Sequence, residues 1–250
     1  IETDGCMINT ENDWKECKTF MLFELEKGSE EETKLRNKFY YSTMKDSNEL
    51  KRQLKYRLDR YCGKDEVRVV CIGDGAKWIW NMMEELFPEE DYPSGIIEII
   101  DWYHAAEKIG DIKNEIFSSE EQGNAFYEQC KEYLKKGNIE MIEQILMELR
   151  DNQKLIERKE FVDEKLKYFM RNKDKMRYEK FKAQGLCVGS GAIESANKYV
   201  VQRRVKLQGM KWNEDNANYM VHLRAEYINK KMDAHYGIRN NPLMNQIATT

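Results

Sequence analysis

The chain has 250 residues, 41% hydrophobic and 11% aromatic, with a formal net charge of −4. That length allows one large domain or two small ones around a real core, and the apolar content excludes global disorder. No apolar run approaches the roughly 20 residues that a membrane-spanning helix needs, and no secretory signal opens the chain.

The first third reads as β-rich. Residues 1–9, 14–26 and 39–44 are strand-like, rich in aromatic and apolar residues. Ile1 falls inside the first of these runs, which points to a segment preceding it. Asp46 and Ser47 cap a helix predicted near 48–62, with Leu50, Leu54 and Leu58 on one face and Gly63 as its stop. The apolar run from Val67 to Ile72 has the pattern of a buried central strand. A helix from Lys77 to Phe87 stops before Pro88, and a further strand, Ile96–Ile100, ends at Asp101.

From there the pattern is helical. Ser118 with Glu121 reads as a capping box, and Gly137 stops that helix. Helical periodicity continues through Ile139–Leu149 and Leu155–Phe169. Glycines 185, 189 and 191 break the chain before two further helices, near 192–207 and 213–232. The tail from Gly237 lacks periodicity and is expected to be loose. There is no internal repeat.

Three carboxylates stand beside glycines: Asp4 in Thr3-Asp4-Gly5, Asp74 in Gly73-Asp74-Gly75, and Glu194 after Gly189-Ser190-Gly191-Ala192-Ile193. Carboxylates gathered from distant elements hold hard divalent cations. Two such cations stabilise the attacking and leaving oxygens of a phosphoryl displacement. Each acid also has a plainer reading. Asp74 can cap a strand-to-helix turn, Asp-Gly at 4–5 is a common surface turn, and Glu194 can complement a helix dipole. Asp101 and His104 follow a strand directly. His104 can orient a carboxylate, donate a proton or touch phosphate, or simply sit in the first turn of a helix capped by Asp101.

The cysteines, Cys6, Cys17, Cys62, Cys71, Cys130 and Cys187, show no C-x-x-C pairing. That argues against a zinc finger and for reduced, cytosolic thiols. The acidic balance is not what nucleic-acid binding leads one to expect. The charge is uneven, however. Between Ser195 and Lys231 stand Lys198, Arg203, Arg204, Lys206, Lys211, Arg224, Lys230 and Lys231, against Glu214, Asp215 and Glu226. Lys198, Arg203, Arg204 and Lys211 suit phosphate contact, and Trp212 can stack on a base. The alternative is a solvated amphipathic helix with Trp212 in the core.

The strings ETDG…WKECK, IGDGAKWIW…LFP, IIDWYHAAEKI and GSGAIESANKYVVQRRVKLQGMKW occur in that order. Together they resemble DDE transposases of bacterial insertion sequences, nearest to the ISKra and ISLre types, which are related to Mutator-like transposases. The likeness runs from Asp4 to about Tyr227. It implies an α/β fold with a ribonuclease-H-like catalytic core (1–104 and 186–236), a helical insertion (105–185) between the second Asp and the Glu, and a flexible tail (237–250). It assigns Asp4, Asp74 and Glu194 as the catalytic, metal-binding triad, His104 as a further catalytic residue and Asp101 as its support. It further implies two Mg2+ or Mn2+ ions, double-stranded DNA as partner, a homo-oligomer assembled on that DNA, no membrane, and a bacterial cytoplasmic, nucleoid-associated location. The expected activity is metal-dependent DNA strand cleavage and strand transfer. The alternatives are a nuclease of the same fold that does not join ends, and a non-catalytic DNA-binding or scaffold protein derived from a transposase. The family's amino-terminal DNA-binding region is not among the strings matched, so recognition of terminal repeats is not expected of these residues.

Overall fold

Three antiparallel strands come first: β1 (Glu2–Asn9), β2 (Trp14–Lys27) and β3 (Thr33–Thr43). Helix α1 (Ser47–Leu58) follows, then β4 (Val69–Gly73), α2 (Lys77–Leu86) and β5 (Ile96–Ile100). The computed structural model describes residues 1–27, 33–59, 68–88, 91–92 and 96–229. Val67, Gly63, Lys230, Lys231 and the tail from Gly237 lie outside them. The strands form a five-stranded mixed sheet in the order β3-β2-β1-β4-β5, with β1, β4 and β5 mutually parallel. Strand β4 is short, apolar and largely buried, as a strand inside a parallel sheet is, whereas β1 is polar over its first three residues and apolar over Cys6–Ile8.

Beyond β5 the chain is helical: α3 (Trp102–Ile116), α4 (Glu120–Lys136), α5 (Ile139–Asp151), α6 (Lys159–Asn172) and α7 (Tyr178–Ala183), with 3-10 stretches at Gln153–Arg158 and Lys173–Met176. Asp101 caps α3 by accepting from Tyr103 N, and Gly137 closes α4 in the left-handed conformation (φ 70°). The expected Ser118–Glu121 capping box is displaced by one residue. Ser119 is the N-cap and accepts from Gln122 N. Both serines carry an acid or amide three residues on, so the local signal does not separate them.

These helices do not enclose a separate core. Ile109 of α3, Leu134 of α4, Leu146 of α5 and Phe169 of α6 belong to the same buried cluster as Phe20 of β2, Cys71 of β4 and Ile79 of α2. Tyr178 of α7 is fully buried and donates from its hydroxyl to the carbonyl of Ile100 on β5, 3.0 Å away.

The last third covers the opposite face of the sheet. Helix α8 (Gly191–Ala196) passes into a π-helical turn (Asn197–Gln202) and the short α9 (Arg203–Val205), and α10 (Glu214–Ile228) follows. Cys6 and Ile8 of β1 pack there with Val200, Val201, Ala217 and Val221, and Met21 of β2 packs on Ile193 and Ala196. One continuous helix was expected over 192–207. A π turn interrupts it over Asn197–Gln202, so Arg203 and Arg204 do not keep the angular positions that an unbroken α-helix would give them. Among the described residues no helix is long and apolar enough to cross a membrane.

On α10, His222 packs against the Tyr41 ring at 5.2 Å, and its Nε2 is buried with no hydrogen-bond partner. Burial holds its pKa below the ordinary histidine value, with Lys45 adding to the effect and Glu49 and Glu226 opposing it. The unfolded chain therefore takes up this proton at a higher pH than the folded chain does. Stability should fall as pH drops below about 6.5. Thermal unfolding should show the midpoint dropping between about pH 7 and about pH 5, and His222→Gln should flatten that part of the profile.

Candidate functional site

The sheet register aligns three aspartates. Glu2 of β1 pairs with Ile72 of β4, so two residues further along Asp4 comes level with Asp74. Gly73 pairs with Ile100 of β5, and Asp101 N donates to Gly73 O at 2.8 Å, which brings Asp101 level with Asp74 on the other side. Neighbouring strands lie about 4.8 Å apart, so the three backbones form a row along one edge of the parallel part of the sheet.

Asp4 is half-buried. Its Oδ1 accepts from Gly5 N (2.7 Å), and its Oδ2 accepts from Asn197 Nδ2 (2.7 Å) in the π turn. Burial pushes its carboxyl above the usual range, and the negative charge of Asp74 adds to that push. The hydrogen bonds from Gly5 and Asn197 and the proximity of His104 pull the other way. The shift therefore connects Asp4, Asp74 and His104 electrostatically.

Asp74 does not cap α2 directly. The N-cap is Ala76, and Asp74 Oδ1 accepts from Ala76 N at 2.8 Å, closing a two-residue turn. Gly75 makes this turn possible. Its φ is +93°, and a Cβ there would meet Tyr168 Cε2 at 2.8 Å. The Tyr168 hydroxyl donates to the Asp74 carbonyl at 3.3 Å, so α6 reaches the same turn.

Glu2, which the sequence reading passed over, lies on the same face as Asp4 and is 1% exposed. Its Oε2 accepts from Ile193 N at 2.7 Å and ties the start of α8 to β1. Burial pushes its carboxyl up to about 7, with the charges of Asp101 and Glu194 adding to the effect and the Ile193 hydrogen bond opposing it. Glu194 itself is exposed at this end of α8. Two bonds, Ile193 to Glu2 and Asn197 to Asp4, thus hold the helix carrying Glu194 over the face that carries Asp4.

Asp101 is fully buried. Its Oδ1 accepts from Tyr103 N, and its Oδ2 accepts a short hydrogen bond from Ser190 Oγ. Trp102 N donates to Val188 O at 2.9 Å, so the glycine-rich segment before α8 is pinned across the end of β5. His104 is partly exposed, with Nε2 3.9 Å from Asp101 Oδ2 and Nδ1 3.5 Å from Glu107 Oε2.

The basic stretch is distributed differently. Lys198, Arg203, Arg204 and Lys211 are exposed, and the Arg203 guanidinium lies 4.2 Å from the Tyr199 ring centroid. Trp212 is half-buried. Its Nε1 donates to Val205 O at 3.0 Å and its backbone N to Asn9 O, which fastens the loop before α10 to the end of β1.

Glu2, Asn197, Ser190 and Tyr168 are the site residues the sequence did not single out. Glu2 alternates with Asp4 and Asn197 follows Glu194 by three, but a buried acid and an asparagine in such positions are recognisable only once their partners are in place. The donor chemistry is carboxylate oxygen, which suits a hard divalent cation, and a cation would relieve the mutual repulsion of Asp4 and Asp74. Among the described residues no three His, Cys, Asp or Glu side chains stand as a group that would hold a metal ion. The exposed Glu194 would have to turn inward to join the pair.

The family model described as Uncharacterised protein family (UPF0236) matches residues 1–236. No curated protein and no solved structure matches the chain.

Proposed function

The chain belongs to the UPF0236 family, and we propose that it is the catalytic domain of a DDE-type transposase with a ribonuclease-H-like core. The alignment of Asp4 with Asp74 on adjacent parallel strands carries this reading. The strand order β3-β2-β1-β4-β5, with a helix from the far end of the chain held over the acidic face, supports it. So does the likeness of four ordered strings to the ISKra and ISLre transposases.

In this reading Asp4, Asp74 and Glu194 would hold Mg2+ or Mn2+, which supplies activation of the attacking oxygen and charge stabilisation of the leaving one. Asn197 orients Asp4 through its Oδ2, and Glu2 fixes the helix that carries Glu194. Asp101 and Ser190 hold the crossing segment in place, and His104 stands beside them with one face open to a phosphate or a water.

The test is a joining assay. A pre-cleaved duplex end from DNA flanking the gene is incubated with a target duplex, this protein and Mg2+. Joined product supports a transposase, cleavage without joining leaves a nuclease, and neither leaves a DNA-binding protein. Duplex binding over a salt series tests the basic stretch. Lys198→Ala and Arg204→Ala should each reduce the log–log slope by about 1 where the side chain meets a phosphate. Unchanged slope and affinity in both would make this stretch a solvated surface.

A further inference from the structure

A groove of about 630 Å3 opens beside Asp101, lined by the start of α3, by α4 and α7, and by the glycine-rich segment before α8. Its volume falls in the range of about 300–1,000 Å3 typical of ligand sites. We propose that it binds a single unpaired nucleotide of a DNA strand, stacking the base on Tyr103 and holding its phosphate with Lys135 and Lys182. The proposal rests on the DNA reading above and names the form of DNA that the site receives.

Tyr103 is 62% exposed, an unusual position for a tyrosine one residue from a half-buried tryptophan. Its ring is held rather than loose. It packs edge-on against Trp102 at 5.3 Å and 87°, and a Cβ on Gly189 would stand 3.0 Å from it. An aromatic face preset in this way stacks a base of any identity. Lys131 is engaged with Glu128 at 3.7 Å, whereas Lys135 and Lys182 are exposed and form no ion pair among the described residues. Glu128 and Glu132 also line the groove, so its charge is mixed and does not suit a general duplex-binding surface. It suits one aromatic ring with one phosphate.

Ser190, next to Gly189 of the lining, bonds Asp101, so the groove borders the crossing segment that the end of β5 holds in place. Bases inside a duplex are stacked on both faces and paired, so the groove takes a frayed or single-stranded nucleotide.

The experiment measures binding of the whole chain, in EDTA, to a labelled duplex with a short single-stranded extension and to the same duplex with blunt ends. The extended duplex should bind about tenfold more tightly, the scale of one stacked base. Tyr103→Ala should remove that preference, Tyr103→Phe should keep it, and Lys135→Ala with Lys182→Ala should reduce it. 2-Aminopurine in the extension should be quenched by the wild type and not by Tyr103→Ala. Equal binding of both duplexes, or a preference that survives Tyr103→Ala, overturns the proposal. So does full competition by a free deoxynucleotide monophosphate at the same concentration as the extended duplex. A preference that depends on Tyr103 without any joined product would leave the groove standing and remove the transposase reading. Joined product with no dependence on Tyr103 would do the reverse.

Discussion

Asp4→Asn and Asp74→Asn should each lower metal-dependent strand cleavage by about a thousandfold or more, the scale of losing several kcal/mol of charge stabilisation. Glu194→Gln should do the same. None of the three should unfold the protein. Ionised Asp4 is destabilising in the fold, because burial and the Asp74 charge raise its pKa above the unfolded value. That cost is absent at low pH, where the carboxyl is protonated in both states, and develops as pH rises through the folded pKa. At neutral pH Asp4→Asn should therefore leave the unfolding midpoint unchanged or raise it. Cleavage of a labelled duplex in Mg2+ and thermal unfolding by circular dichroism measure the two effects separately. An Asp4→Asn protein that cleaves at the wild-type rate would remove Asp4 from the chemistry.

The largest stability loss among the site residues is expected at Asp101. Its carboxyl caps α3 and is the acceptor for buried Ser190, so Asp101→Ala removes the cap and strands a hydroxyl. A lost cap costs about 1 kcal/mol and a hydrogen bond to a charged group about 1.5–3 kcal/mol, so a total of about 2.5–4 kcal/mol is expected. Asp101→Asn should cost less, because the amide oxygen can still accept from Tyr103 N. Urea unfolding of the two variants and of Ser190→Ala decides the matter. A loss under about 1 kcal/mol for Asp101→Ala would mean that the crossing segment is held by other contacts.

Much of this fold is legible locally. The order of strands and helices through β5 follows from period and punctuation. Leu50 and Leu54 are buried on α1 as their spacing indicates, Asp46 caps that helix, and Asp101 caps α3. Such signals need only neighbours within a turn or two, and so they survive without knowledge of the rest of the chain. The adjacent serines at 118 and 119 mark the limit of that resolution.

Asp74 at the end of an apolar strand could also be placed from sequence, since the run before it is short, β-branched and bounded by glycine. What sequence alone determined, then, is the order of elements through β5, the helical character of the chain beyond it, and the placing of Asp74 and Asp101 just past strand ends. Tertiary structure decided the neighbours. Asp4 faces Asp74 only because β1 pairs parallel with β4 across a long stretch of chain, a register fixed by long-range packing. Glu2 becomes a strap only when α8 lies on it, and Asn197 reaches Asp4 from a π turn that no local preference announced. These contacts join residues far apart in sequence, and their energies come from desolvation and from hydrogen bonds that do not exist until both partners are buried together.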